Sequence, residues 1–270
     1  MDIMGSGIAS EFIFISKSPE PELRTIKESI KSGIFLGNSN IYSMPVLLDP
    51  FSTINPHILI VGMTGSGKTF LMRNLILRLS TIDESKIVLI DFTGEYKEQL
   101  KGLLSEPKEI DQDSNTSSQI DYFNFSKESE QEKVHAAANV LSQSLTVMRK
   151  REIGSKKRIF IVLDEAWKLL KREKSLETIV REGRKYGVGL ILSSQLIEDT
   201  DNSIISNIAT IFIFRTQNKK SLDKIARNYN ISEDTVTKVR ELDLGSCLFI
   251  QVNKSDQKSA FFIRKIAGIN

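Results

Sequence analysis

Short apolar runs alternate with amphipathic stretches along most of the chain. Residues 57–61, 87–91, 120–125, 159–164, 188–193, 210–214 and 247–252 are rich in Ile, Val, Leu and aromatic side chains, the pattern of strands buried on both faces. A further run, 260–265, follows the polar turn 253–257, so the last two runs predict an antiparallel hairpin near the C-terminus. Between the runs, Leu71, Leu75, Ile76 and Leu79, and then Val134, Ala137, Ala138, Leu141 and Leu145, recur at three- and four-residue spacing. They predict two helices whose apolar stripes face a core. Ser129, three residues before Glu132, predicts a capping box at the start of the second. Strands alternating with helices make an α/β fold, a mostly parallel twisted sheet between helices.

Two stretches depart from that pattern. Residues 1–40 carry one strand-like run, 11–16, and a helix start at Pro21 followed by Leu23, Ile26 and Ile30, which reads as an N-terminal extension ahead of a core domain at 41–270. Within the core, the polar segment at about 105–127, densest in Glu, Asp, Ser, Asn and Thr over 105–118, reads as an exposed loop or small insertion.

Composition narrows the class. A chain of 270 residues buries enough surface to fold without disulfide or metal. With 40% hydrophobic and 26% charged residues it is neither fibrous nor wholly disordered. A net charge of +3 permits a nucleic-acid partner without requiring one. The single cysteine, Cys247, cannot form an internal disulfide, which fits a reducing, cytoplasmic location. Since no run approaches the length of a spanning helix, membrane association is expected only through a partner.

The candidate chemistry starts at Gly62, where Gly62-Met63-Thr64-Gly65-Ser66-Gly67-Lys68-Thr69 fits GxxxxGK[ST] after a strand and before a helix. Glycines let the backbone wrap a phosphate and turn N–H groups toward its charge. Lys68 then reaches the β- and γ-phosphates of ATP, Thr69 ligates Mg²⁺, and Gly62, Thr64, Gly65, Ser66, Gly67 and Phe70 complete the nucleotide-binding set. The run 159–164 ends in two acids. On a strand neighbouring the phosphate loop, Asp164 holds the metal through its hydration shell and Glu165 accepts a proton from the attacking water. Gln195, just past the run 188–193, is placed to contact the γ-phosphate or that water, because ligands of open α/β sheets lie beyond the carboxyl ends of the strands. Before that run, Arg181, Arg184 and Lys185 put cations at a helix end, either for the helix dipole or for one arginine to meet a γ-phosphate in its own or a neighbouring subunit. Basic clusters at 149–151 and 156–158, and the pair Lys219 and Lys220, are candidate DNA contacts or simply solvated charges.

With these residues in view, the chain resembles the HerA/FtsK superfamily of P-loop motor ATPases, most closely its HerA and VirB4-like branch. The resemblance rests on five blocks in order. They are 55–62 leading into the phosphate loop, Asp91-Phe92-Thr93-Gly94-Glu95-Tyr96, Leu163-Asp164-Glu165-Ala166, Gly183-Arg184-Lys185-Tyr186-Gly187-Val188, and Ser194-Gln195. Among its departures, Leu196 follows Gln195 where the family often has proline, and only some 40 residues precede the core where HerA-like proteins usually carry an N-terminal β-barrel. The resemblance implies a RecA-like sheet, a homo-oligomeric ring, commonly a hexamer, and ATP-driven translocation of double-stranded DNA. Its alternative is a VirB4-like ATPase energising a DNA-transfer or protein-secretion complex, with nuclease or membrane-bound machinery as partners. It also implies Lys68 and Thr69 as the phosphate and magnesium residues, Asp164 as the metal-associated acid, Glu165 as the base and Gln195 as the polar sensor. Arg184 or Arg181 becomes the arginine serving the site, in trans where the ring requires it. For Asp91 and Glu95, a strand-end turn and catalysis remain equal readings.

Overall fold

Strands buried on both faces require a layer of helices on each side, and that requirement organises the molecule. The computed structural model describes residues 13–14, 33–40, 43–50, 53–82, 85–105, 120–154, 157–170, 173–198, 200–255 and 258–268. One sheet contains β1 (Ile13–Phe14), β2 (Ile34–Ser39), β3 (Pro45–Leu48), β4 (Ile58–Val61), β5 (Ser85–Asp91), β6 (Leu104–Ser105), β7 (Ile120–Asn124), β8 (Arg158–Leu163), β9 (Val188–Ser194), β10 (Thr210–Phe214), β11 (Cys247–Val252) and β12 (Lys258–Ile266). Its order is β3-β2-β12-β11-β10-β4-β9-β8-β5-β7-β6, with β1 paired to β12. From β10 to β6 every neighbouring pair is parallel, and from β10 to β3 every pair is antiparallel.

Alternation along the central strands divides the core. Ile58, Ile60, Ile87, Leu89, Val162 and Ile191 face α1 (Lys68–Leu79) and the short α2 (Tyr96–Gln99). Leu59, Val61, Val88, Ile90, Leu163 and Leu190 face the other way, onto α3 (Glu130–Arg149), α4 (Lys174–Glu182), α5 (Asn202–Ser206), α6 (Lys219–Tyr229) and α7 (Glu233–Arg240). The predicted stripe of α1 is its buried face; in α3, Ala137 and Leu141 of the predicted stripe are buried and Val134, Ala138 and Leu145 half-buried, with Val140, Val147 and Met148 added to the face, and the capping box at Ser129 and Glu132 is present. Burial of Cys247 pushes its thiol pKa well up, as for an inert core residue.

All eight predicted runs, 260–265 included, are strands, and the final two form the expected hairpin. That hairpin is internal to the sheet, because β2 and β3 extend it beyond β12. Strand β2 lies in the segment predicted as an N-terminal extension. It escaped the pattern because Gly37 breaks its apolar run at a register shift, where φ is +143° and a Cβ would meet the Lys265 carbonyl at 2.4 Å. The predicted helix start at Pro21 and the polar stretch 106–119 lie outside the described residues. One expected adjacency is wrong. The strand ending at Asp164 does not neighbour the phosphate-loop strand, since β9 is inserted between β4 and β8. Spatial order in a doubly wound sheet follows the crossovers rather than sequence order.

Candidate active site

The parallel strands end on one edge, and the candidate residues collect there. Strand β4 runs into the phosphate loop, whose last glycine, Gly67, caps α1 at φ +117°, a conformation in which a Cβ would be strained. Gly62 is required for space, since a Cβ there would come within 2.7 Å of Phe214 Cβ and Ser66 Oγ. Backbone bonds hold the loop from three sides. Gly62 N–H donates to Ser194 O at 3.4 Å, Met63 N–H to Arg215 O at 3.0 Å, and Gly245 N–H to Ser66 O at 3.1 Å. The first turn of α1 brings its unpaired N–H groups to the loop, an environment that favours phosphate. Lys68 is buried and folds back, with Nζ donating to Met63 O at 3.0 Å. Burial lowers its ammonium pKa, and Asp164, Glu165 and Glu95 oppose that shift.

Three acidic side chains surround this lysine electrostatically. Asp164, just past β8, is buried. Its Oδ1 accepts the Glu165 N–H at 2.9 Å and its Oδ2 accepts the Tyr96 hydroxyl at 2.9 Å. Burial, then the Asp164 charge, pushes the Tyr96 phenol pKa far up, so Tyr96 stays a donor. Asp91, at the end of β5, is saturated with donors. Oδ1 accepts from Thr93 N–H, Thr93 hydroxyl and Gly94 N–H, and Oδ2 from Tyr96 N–H and the Tyr122 hydroxyl, all between 2.9 and 3.1 Å. Such an aspartate shapes the turn that presents Glu95 and Tyr96 to the site. Glu95 is exposed, and its carboxyl pKa is raised by partial burial and then by Asp164, Asp91 and Glu165.

Glu165 sits in the left-handed region at φ +52°, rare for a residue with a side chain. Its Oε1 accepts from Gln195 Nε2 at 2.9 Å and its Oε2 accepts from Trp167 Nε1–H. Gln195 Oε1 in turn accepts the Thr64 hydroxyl at 3.2 Å, so a hydrogen-bonded chain runs from the phosphate loop through β9 to the acid after β8. The insertion of β9 between β4 and β8 makes this chain possible.

Lys68, Asp164, Glu165 and Gln195 are thus brought together, with Thr69 half-buried beside Lys68. Phe70 projects from the first turn of α1, 40% exposed, with the Arg73 guanidinium 5.5 Å above its ring. The two arginines are elsewhere. Arg181 lies exposed on the last turn of α4, 3.8 Å from Glu177, and Arg184 is exposed in the 3-10 turn Gly183–Tyr186 that leads into the start of β9. Both therefore occupy the opposite edge of the sheet from the phosphate loop in the same chain. The clusters at 149–151 and 157–158 share that far edge, where Arg151 Nε donates to Tyr186 O at 2.9 Å. Lys219 and Lys220 are exposed at the start of α6, on the phosphate-loop edge.

Three residues near the loop escaped the sequence pattern. Tyr96 closes the block 91–96 with no role implied for it, Trp167 stands two places after Glu165, and Arg215 follows β10 beside the loop. Only the proximity of the first two to quoted motifs could have flagged them. Among the described residues no three His, Cys, Asp or Glu side chains form a metal cage. The Thr69 hydroxyl and the Asp164 carboxylate are hard oxygen donors of the kind that could hold Mg²⁺.

Comparison with known proteins bears on this site. The family model described as the central domain of helicase HerA matches residues 31–259. The DNA double-strand break repair helicase HerA of Sulfurisphaera tokodaii is 32% identical over 125 residues, covering 43% of this chain and 25% of that protein. The chain thus aligns with about a quarter of the length of such curated relatives. The structure of VirB4 from Thermoanaerobacter pseudethanolicus superposes with a TM-score of 0.69 at 18% identity, over 88% of this chain and 97% of that one. The genome-packaging NTPase B204 of Sulfolobus turreted icosahedral virus 2, in complex with ATP-gammaS, gives 0.56 at 18% identity, over 79% and 98%. These two likenesses concern the fold, a P-loop ATPase α/β sheet.

Proposed function

The chain belongs to the HerA helicase central-domain family, and on that premise we propose that it is an ATP-hydrolysing motor core that translocates double-stranded DNA. The observation that carries the reading is the 2.9 Å bond from Gln195 to Glu165, extended to Thr64 of the phosphate loop. It ties a carboxylate suited to water activation to the loop that would hold the phosphates. Lys68 leaves Met63 O for the β- and γ-phosphate oxygens, and the loop amides and the start of α1 hold the chain of phosphates. Thr69 and Asp164 would hold Mg²⁺, which would supply neutralisation of the phosphate charge. Glu165 takes a proton from water as the water oxygen bonds to the γ-phosphorus, and ADP departs with the bridging electron pair. Gln195 orients that water or the γ-phosphate. Tyr96 holds Asp164 through its hydroxyl.

Arg184, with Arg181 beside it, lies on the wrong edge to serve its own phosphate loop, which supports a role at the loop of a neighbouring subunit and hence a closed ring, expected to be hexameric. Of the basic clusters singled out as DNA contacts, Lys219 and Lys220 are the ones on the nucleotide edge and the better-placed candidates for phosphates of DNA. Among the described residues no helix is long and apolar enough to cross a membrane.

The likeness to VirB4 supports a second reading, an ATPase that energises such a complex. Steady-state ATP hydrolysis with and without long duplex DNA, at low and moderate salt, separates the two. The DNA motor is expected to show salt-sensitive stimulation that Glu165→Gln abolishes. DNA-indifferent turnover would transfer the assignment to the partner-driven ATPase, and turnover surviving in Glu165→Gln would remove Glu165 from the role of base.

A further inference from the structure

Trp167 is 41% exposed, yet its only hydrogen-bond donor is turned inward onto Glu165 Oε2. An indole at a surface ordinarily leaves that donor to water. The turn that carries it is anchored independently of nucleotide. Ala166, Leu169 and Leu170 on either side are buried. Lys168 pairs with Glu130 at 2.8 Å and places its ammonium 5.1 Å from the centre of the Phe92 ring and 5.8 Å from that of Trp167. The indole thus stands on a fixed support.

Glu165 needs such a support. Its left-handed backbone is an unfavourable conformation that persists only where the surroundings over-determine it. Of the two side chains bonded to its carboxylate, Gln195 has to respond to the phosphates. The bond from Thr64 engages its amide oxygen, and a γ-phosphate or attacking water competes for its N–H. Among the described residues the Trp167 indole N–H has no other hydrogen-bond partner. We infer that Trp167 is a positioning residue for the reaction, the nucleotide-independent anchor that keeps the Glu165 carboxylate aimed while Gln195 exchanges partners. This rests on the reading of Glu165 as the general base, and it assigns the indole N–H a part in rate rather than in nucleotide binding.

The test is steady-state ATP hydrolysis by full-length wild type, Trp167→Phe, Glu165→Gln and the double variant, with thermal melting of each. Phe keeps an aromatic six-membered ring beside Lys168 but loses the indole's five-membered ring and with it the N–H donor. For Trp167→Phe, kcat is expected to fall about tenfold, the scale of a lost hydrogen bond to a charged group, with KM for ATP within about twofold and an unchanged melting temperature. Because the indole acts through Glu165, adding Trp167→Phe to Glu165→Gln is expected to change the residual rate by less than twofold. A kcat for Trp167→Phe within twofold of wild type, or a drop of equal size in both backgrounds, overturns the inference while leaving Glu165 as the base. Wild-type turnover in Glu165→Gln instead removes the premise itself.

Discussion

His57, one residue before β4, shows how far a single position can act from the chemistry. It is 1% exposed, and its Nδ1 accepts the Leu190 N–H at 3.1 Å, which joins the start of the phosphate-loop strand to β9. Burial draws its pKa from 6.5 down to about 4, offset in part by the backbone of Val180. The unfolded chain therefore binds a proton between pH 6.5 and 4 that the folded chain refuses. Stability is complete above pH 6.5 and is lost as pH falls toward 4, by about 3 kcal/mol for a shift of this size. Urea denaturation at pH 7, 5.5 and 4 is expected to show that loss in wild type, and His57→Leu, less stable at pH 7, is expected to lack this contribution to the slope. In the sequence, His57 was merely the first residue of an apolar run. Glu165 and Gln195 were legible because each closes such a run. Trp167 was not, because its role depends on where a side-chain N–H points.

At the scale of elements, β5 and β7 are locked by a buried ion pair. Lys86 Nζ lies 2.9 Å from Asp121 Oδ2, with the side chains 9% and 3% exposed. The predicted strand began at Ile87 because a lysine reads as a boundary, whereas β5 starts at Ser85 and buries that lysine against its neighbour. Lys86→Met leaves Asp121 buried and uncompensated, and is expected to destabilise the fold by about 3–5 kcal/mol. The double variant Lys86→Met with Asp121→Leu is expected to recover most of that loss, since replacing both charges with packed apolar groups is often neutral. Chemical denaturation of the two variants checks both statements. Recovery would show that the pair's worth lies in mutual compensation. The same logic explains β2 and β3, whose Gly37 and Pro45 look like breakers in one dimension but are tolerated at the margin of a sheet.

The whole molecule has two unlike edges. Lys68, Asp164, Glu165 and Gln195 share one, whereas Arg181 and Arg184 share the other. A single subunit cannot bring an arginine from the second to the phosphates of the first, so any such contact joins two subunits. If Arg184 serves a neighbour, Arg184→Ala and Glu165→Gln should each reduce ATP hydrolysis by roughly a thousandfold in separate preparations, the scale of a lost arginine finger. Mixing the two proteins is then expected to restore activity well above either alone, because some interfaces pair an intact Glu165 with an intact Arg184. No recovery on mixing, with oligomers confirmed by sedimentation, would exclude the trans arrangement at Arg184 and direct the same assay to Arg181.

The division between sequence and tertiary structure follows the range of the forces involved. Strand runs, helix stripes, the capping box, the phosphate loop and the paired acids are written in contiguous residues, because backbone periodicity and glycine φ angles act over a few positions. These local signals determined the α/β class, the strand that carries the loop and the residues of the nucleotide edge. The insertion of β9 between β4 and β8, the extension of the hairpin by β2 and β3, the burial of Lys86 with Asp121, and the separation of the arginines from the site were decided only in three dimensions. Each depends on which distant segments bury one another, and a crossover, a buried charge or an indole donor acquires its partner only when the sheet has closed around it.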